Sequence, residues 1–111
     1  MIYEIRNYHF EPSLMTEYKA WARESAVPHI RANVDLVGFW TNIDEQPEVT
    51  GRALDELGSA TVTWIIRWPD IQTRHDTMAK IFATPEWNEI SKGNPGRQHY
   101  HRIEVKFAEE L

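Results

Sequence analysis

The chain has 111 residues, no cysteine, 41% hydrophobic residues and a net charge of −5. This is one domain, 1–111, large enough to bury roughly 60–70% of its unfolded surface around a single core. The absence of cysteine excludes disulfides, thiol catalysis and thiolate metal sites. The acidic, interspersed charge argues against nucleic-acid binding, which requires a basic surface.

The N-terminus, "MIYEIRNYHF", opens directly on a strand pattern, with no apolar signal core and no Arg/Ser-rich transit segment. No apolar run approaches the roughly 20 residues that span a bilayer. The expectation is a cytoplasmic protein without membrane contact.

Ile2 to Phe10 is rich in β-branched and aromatic residues and reads as the first strand. Glu11-Pro12-Ser13 ends it and starts a helix with Ser13 as N-cap. Leu14, Tyr18, Trp21, Ala22 and Ser25 form a stripe at helical spacing, and Pro28 should kink or end this helix. "VDLVGFWTNI" is the second strand, followed by a polar connection over 44–58 containing Pro47, Gly51 and Gly58. "SATVTWIIRW" is the third strand. Pro69-Asp70 opens the next helix, with Ile71, His75, Met78 and Phe82 on one face. A short helix begins at "ATPEW", with Thr84 as N-cap and Pro85 in the first turn. After the turn Gly93–Gly96, His99 to Phe107 is the last strand.

The order βαββαβ is that of an α+β, ferredoxin-like fold with one antiparallel sheet. Alternation assigns Val62, Trp64, Ile66, Ile103, Val105, Phe107 and Ile5 to the face under the helices. The other face then carries Glu4, Arg6, Tyr8, Thr63, Ile65, Arg67, Tyr100, Arg102, Glu104 and Lys106. Such a mixed surface is suited to a partner or a pocket.

Several stretches resemble the NIPSNAP family: the opening "MIYEIRNYHFEP", then "LVGFWTNI", then "WIIRWPDIQTRHDTMAKIFATPEW". The matching positions are Glu4, Arg6, Tyr8, Gly38, Arg67, Trp68, Arg74, Pro85, Glu86 and Trp87. The connection over 44–58 departs from the family pattern in being longer and acidic. The resemblance implies a dimeric α+β barrel, in which two ferredoxin-like subunits close their sheets against each other. It implies no catalytic motif. The expected partners are a second copy of the chain and a small-molecule ligand.

Within such a barrel Glu4, Arg6, Arg67, Arg102 and Glu104 would face the partner subunit. Buried charges need counter-charges, and most of these can pair among themselves. An arginine left over could grip a carboxylate or phosphate. Arg6, Arg67 and Arg102, with the aromatic residues Tyr8 and Trp64, are therefore candidate ligand-binding residues. The five tryptophans are read as core or interface residues, with an aromatic pocket as the alternative.

Two groups of histidines carry candidate chemistry. His99 and His101 share a side of the last strand, and His9 could face them across the ladder. Three imidazoles could hold zinc, nickel or copper, but no carboxylate completes the set, and neither metal nor cofactor is expected. His29 and His75 fall at the same end of the sheet, where an imidazole could be a general base or haem ligand. The leading expectation is a small-molecule-binding or structural homodimer. The alternative is a cofactor-independent oxygenase or isomerase, with substrate between sheet and helices and His29 or His75 as catalytic base.

Overall fold

The computed structural model describes all 111 residues. Strand β1, Ile2–Phe10, leads through a 3₁₀ turn, Pro12–Leu14, into helix α1, Met15–Trp21. A π-helical turn, Ala22–Ala26, joins α1 to α2, Val27–Asn33. Strands β2, Asp35–Thr41, and β3, Val62–Trp68, follow, then α3, Ile71–Ile81, α4, Pro85–Lys92, and β4, Tyr100–Glu109. All strand pairs are antiparallel, in the order β2-β3-β1-β4. This is the ferredoxin-like α+β sheet expected from the sequence, with the helices layered on one face. No helix is long and apolar enough to cross a membrane.

The first helical segment does not end at Pro28. Proline cannot donate to the carbonyl one turn back. The chain accommodates this by widening the preceding turn, where the Val27 N–H reaches the Ala22 carbonyl. π turns of this kind occur as single insertions within helices. The turn also explains the core stripe, which is Tyr18, Ala22, Ala26 and Ile30, all under 5% exposed. An α-helix turns about 100° per residue, so a strict four-residue spacing drifts by about 40° a step. The wider turn takes up that drift and keeps all four side chains on the sheet.

The starts of α3 and α4 follow the sequence signals, but Ser13 is not the first cap: the Glu11 carboxylate accepts from the Ser13 N–H and opens the 3₁₀ turn that leads into α1. The Asp70 carboxylate accepts from the Thr73 N–H at the start of α3, and the Thr84 hydroxyl accepts from the Trp87 N–H at the start of α4. Trp21 Nε1 donates to the Ile90 carbonyl at 2.8 Å and ties α4 to α1.

The ladder register corrects the expected face of β1. Glu4 stands opposite Ile66, Arg6 opposite Trp64 and Tyr8 opposite Val62. Residues directly opposite share a face. Glu4, Arg6 and Tyr8 therefore lie under the helices, and Ile5 lies on the open face opposite Ile65 and Lys106. Tyr100 also moves inward, because an irregularity between His9 and Phe10 sets it opposite Phe10. Thr63, Ile65, Arg67, Arg102, Glu104 and Lys106 are on the open face as expected.

The core is centred on Phe10, Tyr18, Ile30, Val62 and Ile66, each 2% exposed or less. Burial of side chains this size contributes about 1.5–3 kcal/mol apiece. Cover over β4 is thinner, and its inward-facing Ile103 and Phe107 remain about half exposed.

The acidic connection between β2 and β3 contains no helix or strand and folds back over one end of the open sheet face. Asp55 accepts from Arg102 at 2.6 Å, and His9 Nε2 donates to the Gly58 carbonyl at 2.9 Å. Gly58 has φ +71°, a conformation that favours glycine.

Candidate functional site

Glu4 is fully buried on the helix side of the sheet. A carboxylate there is costly to desolvate unless it is paired and hydrogen-bonded. Four donors meet its two oxygens. Arg74 reaches from α3 with Nε to Oε1 at 2.8 Å and Nη2 to Oε2 at 3.1 Å. Arg6, two residues along β1, gives Nη1 to Oε2 at 2.5 Å, and Trp68 gives its indole N–H to Oε1 at 3.1 Å. Burial alone would raise the Glu4 pKa. The hydrogen bond from Arg74 and the charge of Arg6 outweigh it and hold the carboxyl below its ordinary value.

Beside this cluster lies an aromatic cavity of about 310 Å³ between sheet and helices. Its floor is Tyr8, Trp64, Phe39 and Ile103 from the sheet, and its walls include Tyr18, Trp21 and Trp87. The rings are mutually braced: Tyr8 stands edge-on to Tyr100 at 5.2 Å, and Phe82 edge-on to Trp87 at 4.8 Å. Burial raises the pKa of the Tyr8, Tyr18 and Tyr100 hydroxyls above the ordinary phenol range. They are neutral donors and acceptors near pH 7 rather than bases. The Trp64 indole N–H is buried and makes no full hydrogen bond.

The expected ligand-binding residues divide between the two faces. Arg6, Tyr8 and Trp64 converge: Arg6 Nε donates to the Tyr8 hydroxyl at 2.7 Å, and its guanidinium stacks 4.9 Å from the Trp64 ring centre. Arg67 and Arg102 are exposed on the opposite face, where they pair with Asp35 and Asp55. They cannot join a site with the other three.

The two candidate catalytic histidines do not meet in the cavity. His75 is exposed on α3, with Nδ1 3.2 Å from Arg74 Nη1. His29 stacks on Trp87 at 5.8 Å, with Nε2 buried and unpartnered. Neither lines the cavity. Of the candidate metal residues, His9 is held by Gly58, and His101 Nε2 contacts Glu11 Oε1 at 3.3 Å. No three His, Asp or Glu side chains are placed to share an ion.

Arg74 and Trp68 complete the Glu4 cluster and were not among the candidate site residues. Both occupy positions carrying the family resemblance, as do Glu4, Arg6 and Tyr8. That coincidence was the available signal, but alternation assigned the β1 residues to the other face.

Together these features define a ferredoxin-like domain with a buried ion cluster and an aromatic cavity on the helix side. The NIPSNAP family model matches residues 3–108, and the chain belongs to that family. No curated protein matches by sequence. Among solved structures, a NIPSNAP family protein with unknown function from Agrobacterium tumefaciens is 17% identical, with a TM-score of 0.75. The match covers 97% of this chain and 86% of that one. A NIPSNAP-like domain protein from Burkholderia xenovorans is 21% identical with a TM-score of 0.76, covering 99% and 84% of the two chains. An antibiotic biosynthesis monooxygenase shares the fold more distantly, at 14% identity and a TM-score of 0.60, covering 100% and 99%.

Proposed function

We propose that this NIPSNAP domain binds an apolar small molecule in the cavity between sheet and helices, and that it acts as a homodimer. The observation carrying the first part is the cavity itself: about 310 Å³, with ten hydrophobic residues among its thirteen. Small-molecule sites are typically of this size or larger, mostly apolar, with a few fixed polar groups. Here those groups are phenol hydroxyls, an indole N–H without a full hydrogen bond, and the side chains of Ser91, Asn94 and Arg97. Indole, a neutral aromatic probe, should bind saturably by calorimetry. Ser91→Trp, which places a large ring on the cavity wall, should abolish that binding while the protein stays folded. Equal indole binding by both proteins would overturn the reading.

Dimerisation is supported by the shape and chemistry of the open sheet face. The domain measures 37 × 37 × 19 Å, so it is a slab with one broad face free of helices. Such a face can supply the roughly 800 Å² per partner of a standard interface. Trp40 and Val37 on β2 are about half exposed. The end of the face under the acidic connection is already occupied, so pairing would use the end around Tyr3, Ile5 and Ile65.

A further inference from the structure

We propose that Arg6 and Arg74, with Tyr8 and Trp64, form the recognition end of a site for a small organic monoanion: a carboxylate on an apolar body. The proposal rests on the cavity reading above and specifies the chemistry of its ligand.

Charge is the first argument. The cluster holds two guanidiniums and one carboxylate, on side chains 16%, 18% and 0% exposed. One positive charge is left over in a largely desolvated place. An uncompensated buried charge is expensive, and a bound anion removes that cost.

The hydrogen-bonding inventory is the second. Both Glu4 oxygens are filled by Arg6, Arg74 and Trp68. What remains free are donors. Arg6 Nη2 makes no hydrogen bond within the chain, because Nε goes to Tyr8 and Nη1 to Glu4. The Tyr8 oxygen accepts from Arg6, which leaves its proton to give. Trp64 Nε1–H is buried and makes no full hydrogen bond, although it lies near enough to the Tyr8 hydroxyl to act on it. A set made of donors and a net positive charge selects an acceptor carrying negative charge.

Geometry is the third. A cavity of about 360 Å³ has Arg6, Arg74, Tyr8 and Trp64 on its polar side and Met78 and Phe82 among its apolar walls. It shares Tyr8, Trp64 and Trp87 with the aromatic cavity. A ligand with its charged end at Arg6 could therefore extend along these rings. One excess charge suits a planar monocarboxylate better than a phosphate dianion. The Trp64 ring fixes the plane of the Arg6 guanidinium.

The test compares benzoate with benzamide, which has the same shape and no charge, by calorimetry and thermal shift. Benzoate should bind roughly ten- to hundredfold more tightly, the ratio a charge-assisted hydrogen bond supplies. Arg6→Gln should reduce that ratio to about one, and Trp64→Phe should lower benzoate affinity severalfold with the ring retained. If Arg6→Gln fails to fold, Trp64→Phe decides. Equal binding of benzoate and benzamide, binding of neither, or benzoate binding indifferent to these variants would overturn the proposal. Indole binding that Ser91→Trp still blocks would then leave the apolar-cavity reading standing alone.

Discussion

Arg74 grips both carboxylate oxygens of Glu4 across a separation of seventy residues, joining α3 to the centre of β1. The pair holds the helix layer to the sheet through charge where most of the interface is apolar. Removing Arg74 takes away two of the four donors on the buried carboxylate and leaves it only Arg6 and the Trp68 indole. Arg74→Ala should destabilise the fold by on the order of 3 kcal/mol, measured as a lower urea midpoint. Arg74→Lys should recover only part of this, since an ammonium cannot bridge two oxygens in a plane.

The same carboxylate predicts acid sensitivity. Folding holds the Glu4 pKa below its ordinary value, with burial opposing and the two arginines prevailing. The unfolded chain therefore takes up a proton at higher pH than the folded one. The contribution of Glu4 is complete above the ordinary glutamate pKa of about 4.3 and is lost as pH falls towards the lower folded value. Glu4→Gln should be less stable than the native chain at pH 7, and the gap should narrow between pH 5 and 3. A constant gap over that range would show that the ionised form contributes nothing.

The fold was legible because its signals were local and mutually consistent. Thr84-Pro85-Glu86 marked the start of α4, and Asp70 marked α3. The alternation of Val62, Trp64 and Ile66 assigned the inner face of β3. The site was less legible because β1 breaks the pattern where its chemistry sits. Glu4 and Arg6 look like surface residues, and Ile5 looks like core. Their inward placement depends on Arg74 and Trp68, both distant in sequence, and periodicity within one strand contains no such information. Conflicts of this kind between local pattern and fold are expected at functional sites. Pro28 was a smaller case, since a helix break and a π turn begin from the same residue.

Gly96 is a requirement of packing. A Cβ there would fall 2.3 Å from Cζ of Phe10, a core ring 1% exposed that has nowhere to go. Gly96→Ala should cost about 1–3 kcal/mol through overpacking. Combining it with Phe10→Leu should cost less than the two single changes added together, because the shorter side chain makes room for the methyl group. Strict additivity in urea unfolding would show that the turn relaxes instead.

The histidines separate surface from site. His75 is exposed on α3, so His75→Ala should change stability by no more than about 0.5 kcal/mol and leave indole binding intact. His29 stacks on Trp87, which lines the cavity. His29→Ala should therefore shift tryptophan emission and weaken indole binding. A variant of His75 with the larger effect would reverse this assignment.

Ile65 offers a direct test of the dimer. It lies opposite Ile5 on the open face, with Lys106 across the sheet from Ile5 and Arg67 two residues along its own strand. In a twofold pairing the same patch from each subunit meets its copy, so one substitution acts twice. Ile65→Lys removes apolar contact and adds a cation near Lys106 and Arg67, with no added acid. In a monomer the new side chain would extend into water, and the melting temperature should change little. In a dimer it would be confined against its copy. Light scattering at micromolar concentration should give twice the monomer mass for the native chain and the monomer mass for Ile65→Lys. A native chain that already scatters as a folded monomer would sink the dimer reading.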